Sequence, residues 1–280
     1  MSPFTFTRSV RIERPASEVF AWHERPGAFE RLAPPWRKLQ IIARSGGIRD
    51  GARVSVRTLI GPAWVRWDIE HRDYLEGVRF RDVQVRGPFA RWEHLHRVEP
   101  AEDGRACVLT DEITCLPPFG MFGRPAGVFV RRELERLFNY RHALTKTDIE
   151  AAARYISVRP MTFLIAGASG LVGRALTAFL QTQGHTVVRL VRRGTEASDE
   201  VYWNPSRGEL DPHALRGIDA VVNLSGEGVA DMRWSAARRE AILRSRVDST
   251  RTLVSAIAAV KNARHRPFVL ISASAVGIYG

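Results

Sequence analysis

The fold is decided by the stretch Met161-Thr-Phe-Leu-Ile-Ala-Gly-Ala-Ser-Gly-Leu-Val-Gly173, an apolar run that ends in three glycines spaced three residues apart. Residues 163–166 are apolar without interruption, which is typical of a parallel strand buried on both faces. Gly167 permits a sharp turn, Gly170 removes the side chain where a pyrophosphate approaches the backbone, and Gly173 lets the next helix pack closely on the strand. Because free N–H groups at a helix start favour an anion, the stretch predicts a strand, a phosphate-binding turn and a helix.

The residues after this turn continue the pattern of a dinucleotide-binding unit. A glycine, Gly184, stops the helix, and residues 185–191 supply a second apolar strand. The helix itself carries an apolar stripe formed by Val172, Leu176, Phe179 and Leu180. Glycines also punctuate ordinary turns, so a purely structural turn is the alternative interpretation.

The second strand ends in Arg192-Arg193-Gly194, which bears on the choice of cofactor. A site for NAD usually places an acid near this strand end to bind the ribose 2′-hydroxyl, whereas a 2′-phosphate calls for arginine. The sequence has no acid at this point. We therefore expect NADP instead of NAD, with Arg192 as the main phosphate contact and Arg193 as its helper. Two solvated arginines after a strand are the alternative.

Three further strands and a long helix follow. We expect strands at residues 201–203, 219–224 and 268–272, and a helix capped by Ser235. The middle strand should meet the cofactor ribose and nicotinamide at its tip. The predicted cofactor contacts are Gly167, Ser169, Gly170, Leu171, Val172, Gly173, Arg192, Arg193, Asn223, Leu224, Ser225 and Gly226.

The first half of the chain has a different organisation. A strand with Phe4, Phe6, Val10 and Ile12 on one face precedes two short helices. Strand candidates then follow at residues 39–43, 52–60, 63–72, 78–86, 90–98 and 105–115, separated by glycine-containing turns, before a long helix that begins near Pro125. This order predicts an α+β helix-grip domain, followed in the second half by an incomplete α/β Rossmann-type parallel sheet.

Composition excludes several classes of protein. The 280 residues are 45% apolar and 26% charged, with no apolar run long enough to span a membrane and no signal-peptide region, so we expect a cytoplasmic protein. The net charge of +12 comes from arginines scattered among acids, which favours a solvated surface over nucleic-acid binding. If Cys107 and Cys115 lie on one strand, they are about 27 Å apart and remain reduced.

Polar residues share strand faces in the first half. Phe80, Asp82 and Gln84 lie on one face by parity, and Trp92, His94 and His96 lie on another. The two histidines could ligate a metal, but spacing places no third ligand, and a hydrogen-bonded pair is favoured. Asp82 with a histidine could also form an acid and base pair. Neither interpretation enters the predicted site, and no metal is assigned.

Residues 3–146 resemble the START-like family of polyketide cyclase and lipid-transfer domains. The resemblance is carried by Leu32-Ala33-Pro34-Pro35-Trp36, by Phe80, Asp82 and Gln84, and by Gly87-Pro88-Phe89 followed by Trp92, His94 and His96. It implies a cavity between sheet and helix for an apolar or amphipathic ligand. We expect this domain to cover residues 1–156, with a short linker helix that begins at a capping box at residues 147–150. The boundary would lie at residues 157–160 and the second domain at 161–280.

Residues 161–280 resemble the epimerase-like subfamily of extended short-chain dehydrogenase/reductases, whose members are often called sugar-nucleotide epimerases or cell-division inhibitors. The shared motifs are Gly167-Ala-Ser-Gly170-Leu-Val-Gly173, Asn223-Leu-Ser-Gly226, Gly226-Glu-Gly-Val-Ala-Asp-Met-Arg-Trp234, Ser245-Arg246 with Thr250, and Ser274-Ala-Val-Gly-Ile-Tyr-Gly280.

The resemblance also implies site residues. A serine after the last strand orients the substrate oxygen, which makes Ser274 the catalytic candidate and Ser272 the runner-up. A serine that only satisfies backbone groups is the alternative. Tyr279 belongs to the strand-end motif, and a proton-transferring Tyr-x-x-x-Lys should lie beyond residue 280. We therefore expect this chain to be a fragment.

Two functional hypotheses follow from the sequence. The first is an NADP-dependent oxidoreductase or epimerase acting on a small-molecule substrate of the sugar-nucleotide type, with an apolar ligand in the N-terminal domain. The second is a non-catalytic NADPH-binding ligand sensor. The sequence does not predict the oligomeric state.

Overall fold

In a computed structural model, the chain divides into two compact units, residues 1–157 and 158–280. The structure describes residues 3–116, 124–155, 159–194, 197–229, 233, 235–260, 267 and 269–274, with the backbone alone described at 124–127. No helix in these ranges is long and apolar enough to cross a membrane.

The N-terminal unit is an antiparallel sheet with one long helix and two short ones. Its strands lie in the order β1-β7-β6-β5-β4-β3-β2, with neighbouring strands antiparallel throughout. The elements are β1 (Phe4–Ile12), α1 (Ala16–Glu24), α2 (Ala28–Leu32), β2 (Leu39–Ser45), β3 (Arg53–Ile60), β4 (Ala63–Leu75), β5 (Arg79–Arg86), β6 (Arg91–Pro100), β7 (Cys107–Leu116) and α3 (Arg124–Ala153).

The long helix α3 packs against one face of this sheet. Leu134 and Phe138 on α3 join a buried cluster with Phe6 of β1, Trp92 of β6 and Ile113 of β7. Burying a side chain such as Phe138 contributes roughly 1.5–3 kcal/mol. The predicted helix-grip fold is therefore confirmed.

One predicted element of this unit is wrong. Residues 147–150 do not begin a separate linker helix, because α3 continues through them to Ala153. Asp148 is a buried residue of α3 that forms an ion pair with Arg31 of α2. The distance from Arg31 Nη2 to Asp148 Oδ1 is 2.6 Å. Its carboxylate therefore holds α2 to α3, a role that a capping pattern does not reveal.

The C-terminal unit is a parallel sheet with helices between its strands. The order is β10-β9-β8-β11-β12, and each neighbouring pair is parallel. This order places β8 at the point where the chain changes direction across the sheet, as in dinucleotide-binding folds. The elements are β8 (Thr162–Ala166), α4 (Leu171–Thr182), β9 (Thr186–Val191), β10 (Glu200–Tyr202), two short 3-10 helices (Pro205–Arg207 and Pro212–Leu215), β11 (Ala220–Asn223), α5 (Ala236–Ala259) and β12 (Val269–Ser272).

The predicted helical stripe on α4 needs one correction. Leu180 is buried and packs with Ile165 and Val187, and Leu176 lies beside them. Val172, by contrast, is 62% exposed. It lies in the first turn of α4, so the buried part of the apolar stripe begins one turn later than the sequence predicts.

The two cysteines are buried and free on one strand, β7, as predicted. Burial raises the pKa of Cys107 to about 11 and that of Cys115 to about 12.

Candidate functional site

The glycine turn lies against the end of β11. Gly167 has a φ of +80°, a conformation that disfavours residues with a Cβ. A Cβ on Gly167 would also lie 2.7 Å from the carbonyl carbon of Leu224, just beyond β11. The turn therefore lies in the crevice between β8 and β11, where parallel sheets of this order bind ligands.

The other two glycines of the turn differ from each other. A Cβ on Gly173 would lie 2.1 Å from the carbonyl oxygen of Gly167, so only glycine lets α4 approach so closely. A Cβ on Gly170 would meet the same oxygen at 3.3 Å, which is a tight but tolerable contact. The fold therefore requires glycine at position 173, whereas position 170 has room for a small side chain.

The start of α4 is open to solvent. Ser169 and Gly170 are exposed, and Leu171 and Val172 are 81% and 62% exposed. No acidic side chain lies in the first turn of α4. The helix dipole and the free N–H groups therefore present an unopposed positive potential here.

At the tip of β11, the side chain of Asn223, one of the predicted cofactor contacts, belongs to a hydrogen-bond network. Asn223 is buried, and its Nδ2 donates to Thr250 Oγ1 at 3.2 Å and to Ser272 Oγ at 3.4 Å. Its Oδ1 accepts from the backbone N–H of Ser225 at 3.2 Å and from the Ser225 hydroxyl at 2.5 Å. Asn223 thus links the loop after β11 to β12 and α5. Within this loop, Leu224 is half-buried and Gly226 is exposed.

The two candidate serines after β12 have different surroundings. Ser272 belongs to the Asn223 network. The backbone N–H of Ala273 donates to the carbonyl oxygen of Asn223 at 2.9 Å, which extends the alignment of β11 and β12 by one residue. Ser274 is exposed just beyond this point. Tyr279 lies outside the described residues.

The two arginines after β9 also differ. The Nη2 atom of Arg193 lies 3.4 Å from Glu200 Oε1, and Arg189 Nη2 lies 3.2 Å from the same oxygen. The Glu200 side chain is only 3% exposed, so its carboxylate is neutralised by these arginines and faces away from solvent. Arg192 is exposed. Of the two, Arg192 is therefore the freer cation.

The N-terminal unit holds a cavity of about 820 Å³ between the sheet and α3. This volume is in the range of small-molecule sites. Aromatic and aliphatic side chains form much of the wall, and a polar group of side chains lies among them. Apolar lining residues include Phe29, Leu32, Val54, Val56, Trp67, Phe80, Phe89, Trp92, Leu134, Leu137 and Phe138, and the polar ones include His23, His71, Asp82, His94, His96 and Arg141.

Asp82 is central to the polar side chains of this cavity. Its Oδ1 lies 2.7 Å from His71 Nδ1, and its Oδ2 lies 3.3 Å from His96 Nε2 and 3.7 Å from His94 Nδ1. The strand register explains the proximity, because His71 and His94 lie directly opposite Asp82 on β4 and β6. Burial opposes ionisation of Asp82, but the hydrogen bonds and charges of His71 and His96 hold its pKa well below the ordinary value.

A second carboxylate, Asp111 of β7, lies behind the two β6 histidines. Its Oδ1 accepts from His94 Nε2 at 2.8 Å and lies 2.7 Å from His96 Nδ1. Its Oδ2 accepts from Nε2 of His142 on α3 at 2.6 Å. Burial again opposes ionisation, but these histidines, above all the charge of His96, keep the pKa of Asp111 well below its usual range.

The two neighbouring histidines of β6 have opposite protonation preferences. Burial opposes protonation of His96, yet the charges and hydrogen bonds of Asp111 and Asp82 raise its pKa to about 9. Burial and the charge on His96 lower the pKa of His94 to about 4. His94 is therefore neutral near pH 7, and its Nε2–H points to Asp111.

The sequence indicated Asp82, His94 and His96 but missed His71, Asp111 and His142. The sequence did contain one signal for Asp111. It is the only acid on an otherwise largely apolar face of β7, which also carries Cys107, Leu109, Ile113 and Cys115. An acid on such a face must find buried partners. His71 and His142 lie on elements that only the fold brings to this cluster.

Comparisons with known proteins agree with both architectures. Residues 3–147 match the family described as polyketide cyclase / dehydrase and lipid transport, and residues 163–280 match the NAD dependent epimerase/dehydratase family. A crystal structure of a nucleoside-diphosphate sugar epimerase from Corynebacterium glutamicum is similar over 98% of this chain and 55% of that chain, with 31% identity and a TM-score of 0.79.

Curated relatives match over shorter lengths. An epimerase family protein of Mycobacterium bovis is 51% identical over 116 residues, which are 41% of this chain and 37% of that protein. An epimerase family protein of Bacillus subtilis is 36% identical over 124 residues, or 43% of this chain and 39% of that protein. The chain thus matches less than half of the length of these relatives.

Both resemblances seen in the sequence are confirmed by these matches. The chain belongs to the polyketide cyclase/dehydrase and lipid transport family through residues 3–147, and an NAD-dependent epimerase/dehydratase region follows that domain.

Proposed function

We propose that the C-terminal unit binds NADP(H) in the crevice between β8 and β11 and passes a hydride between the nicotinamide and a small-molecule substrate. The observation that carries the proposal is the glycine turn. Gly167 has a positive φ against Leu224, and Gly173 lies where any Cβ would strike the Gly167 carbonyl. This geometry leaves backbone N–H groups and an exposed helix start facing the crevice, as a pyrophosphate requires.

The preference for NADP over NAD rests on Arg192. Glu200, an acid on the neighbouring strand β10, is buried and paired with Arg189 and Arg193, so it is not free to bind a ribose 2′-hydroxyl. Arg192 is exposed at the end of β9, where a 2′-phosphate would lie. Arg193 contributes less, because part of its charge is already satisfied by Glu200.

Other predicted cofactor contacts act through the backbone or through positioning. Ser169, Leu171 and Val172 would offer N–H groups at the helix start. The Gly170 N–H already donates to the Gly167 carbonyl oxygen at 3.0 Å, so Gly170 would contribute the space left by its missing side chain. Asn223 would not touch the cofactor with its amide, because that amide holds Ser225, Thr250 and Ser272. It is instead a positioning residue for the loop at residues 224–226.

Calorimetry with NADPH and NADH on the folded 280-residue chain tests the proposal. We expect NADPH to bind more tightly, Arg192→Ala to weaken NADPH binding at least about tenfold with little effect on NADH, and Arg193→Ala to have a smaller effect. Arg216→Ala, at an exposed position in the same unit, is the matched control. Equal or tighter NADH binding would refute the cofactor assignment, and no binding of either nucleotide would refute the site.

Gly170→Ala separates binding from folding. Its Cβ would keep a tolerable 3.3 Å distance from the Gly167 carbonyl oxygen but would enter the space for the pyrophosphate. We expect weaker NADPH binding with an unchanged thermal midpoint. Unchanged affinity would mean that the nucleotide does not approach this turn.

We base the proposed substrate class and catalytic residue on the resemblance to epimerase-like proteins. We propose a nucleoside-diphosphate sugar or a related carbonyl compound, because the similar Corynebacterium protein is described as such an epimerase. Ser274 would donate a hydrogen bond to the reacting oxygen, since it lies exposed just beyond the end of β12, whereas the Ser272 hydroxyl is oriented by the amide of Asn223. Turnover of NADPH, followed by absorbance, should fall in Ser274→Ala while nucleotide affinity stays constant.

A ligand sensor is the second candidate, and the cavity of the N-terminal unit favours it. The cavity walls suit an apolar or amphipathic ligand, and the indole Nε1 of Trp67 in the wall has no hydrogen-bond partner among the described residues. A fluorescent fatty acid should bind there, and Trp92→Ala should weaken binding. Tight NADPH binding without oxidation across carbonyl and sugar-nucleotide substrates would favour the sensor over the enzyme.

A further inference from the structure

We propose that the N-terminal unit binds one divalent transition-metal ion through Asp82, His94 and His96, at the wall of its ligand cavity. This site is independent of the nucleotide site, since all its residues belong to the first unit. One possible ligand atom from each of these three residues lies within 4.8 Å of the other two. The donor atoms we assign are Asp82 Oδ2, His94 Nδ1 and His96 Nε2, because both nitrogens lie close to this carboxylate oxygen.

Distances between the donor atoms suit a common metal ion. Asp82 Oδ2 lies 3.3 Å from His96 Nε2 and 3.7 Å from His94 Nδ1. Donors bonded at about 2.0–2.2 Å in a tetrahedral arrangement lie about 3.3–3.6 Å apart. Two imidazole nitrogens and one carboxylate oxygen, with other positions open, are a donor set used for zinc and non-haem iron. The ion would displace the proton between His96 Nε2 and Asp82 Oδ2 and release it to solvent, because only a neutral imidazole binds a metal.

Each proposed ligand has a second partner that orients it. Asp111 accepts from His94 Nε2 at 2.8 Å and lies 2.7 Å from His96 Nδ1, so both rings turn their other nitrogen toward Asp82. Asp82 Oδ1 lies 2.7 Å from His71 Nδ1. Carboxylates behind metal-bound histidines set the tautomer and raise ligand basicity.

The layering of the cluster also fits a metal centre. His71, Asp82, His94 and His96 line the cavity, whereas Asp111 and its other partner His142 are buried behind them. The open coordination positions would therefore face the cavity, where an oxygen atom of a bound ligand could reach the ion. The half-buried Arg141 also lines this cavity, but its guanidinium has no lone pair to offer a metal.

The atoms of the cluster that face away from the proposed ion already have partners. His71 Nδ1 lies 2.7 Å from Asp82 Oδ1, and His96 Nδ1 lies 2.7 Å from Asp111 Oδ1. These contacts do not use the proposed metal donors, so they can remain in place when the ion binds. A cation on Asp82 Oδ2 would fix the carboxylate and both β6 rings in one arrangement.

The first test is Zn²⁺ titration of the chelator-stripped 280-residue chain in competition with a chromophoric chelator. We expect one equivalent to bind. Asp82→Asn, which keeps the shape of the side chain, should weaken Zn²⁺ binding by at least about 100-fold, and Asp111→Asn by about 10–100-fold. His213→Ala, at an exposed histidine of the second unit, should leave the affinity unchanged.

A second test needs no variant and so does not depend on whether a substituted chain folds. Co²⁺ added to the unmodified chain should give the intense visible bands of a four- or five-coordinate, nitrogen-ligated ion, and azide should shift them through an open position. A weak spectrum of a six-coordinate, all-oxygen ion would overturn the proposal. So would failure to bind Zn²⁺, or equal Zn²⁺ affinity in the unmodified chain and Asp82→Asn.

Discussion

The nucleotide turn and the histidine cluster are assembled in opposite ways. The turn comes from 13 consecutive residues, 161–173, whose spacing and backbone demands can be recognised one after another. The cluster draws its six side chains from β4, β5, β6, β7 and α3, over residues 71–142. A site built from consecutive residues is constrained by local geometry, whereas a dispersed site depends on strand register and on helix packing. We expect the two sites also to differ in how much their residues contribute to the free energy of unfolding.

The largest effect is expected from Asp111→Ala. The substitution removes the acceptor for His94 and His142 and leaves the charge of His96 with one partner fewer. Breaking a buried ionic group in this way typically costs about 3–5 kcal/mol of unfolding free energy. Urea unfolding followed by circular dichroism measures it, with Asp111→Asn as the shape-conserving control. A loss below about 1 kcal/mol would mean that the histidines find other partners.

A smaller loss is expected from Gly173→Ala in the turn. The new Cβ would lie 2.1 Å from the Gly167 carbonyl oxygen, so α4 must shift from β8, at a typical cost of about 1–3 kcal/mol. Gly170→Ala is the matched control, because its Cβ meets that oxygen at 3.3 Å. Equal thermal midpoints for the two variants would show that the close approach is not required.

A pH-dependent effect is expected at Asp219, which anchors β8 and the segment before it. Asp219 pairs with Arg159 and accepts from the Thr162 N–H at 2.8 Å, and the Arg159 hydrogen bond lowers its pKa below the ordinary value for a carboxyl group. A lowered carboxyl pKa stabilises the fold above the unfolded pKa, and this contribution is lost as the pH falls through the folded pKa. Asp219→Asn should therefore lower the thermal midpoint at pH 7.

The same comparison at low pH is the control. The difference between Asp219→Asn and the unmodified chain should shrink below about pH 4. A difference that persists at pH 2 would assign the effect to lost packing instead of lost charge.

The smallest effect is expected in the reactivity of the two thiols, which measures how readily the N-terminal unit opens. Both cysteines of the chain, Cys107 and Cys115, lie there, buried on β7. Because burial raises their pKa to about 11 and about 12, little thiolate exists at pH 8. A disulfide reagent should react with neither thiol in the native chain and with both after unfolding. Rapid reaction of a native thiol would show that the sheet around the cluster opens readily.

Sequence reasoning predicted most of the strands and helices because each is governed by local patterns. The apolar run of β8, the alternation on β1 and the Ser235 cap of α5 are all present in the structure. Its errors occur where packing overrides a local signal. The acid at position 148 resembles part of a cap, but the long helix continues because Asp148 finds Arg31. Val172 fits the helical period but is 62% exposed in the first turn of α4.

The sequence alone was enough to predict both domain types. It also predicted the strand, turn and helix around Gly167 and indicated the two arginines after β9. These features can be predicted because φ preferences, turn chemistry and hydrophobic periodicity act between near neighbours in the chain. Only the folded arrangement shows that Glu200 pairs with Arg193, that Asn223 bonds to α5 and β12, and that His71, Asp111 and His142 complete the cluster with Asp82, His94 and His96. Those contacts join residues between 7 and 49 positions apart. Cross-strand register and burial decide which of these residues meet, and no short segment of the sequence determines either of them.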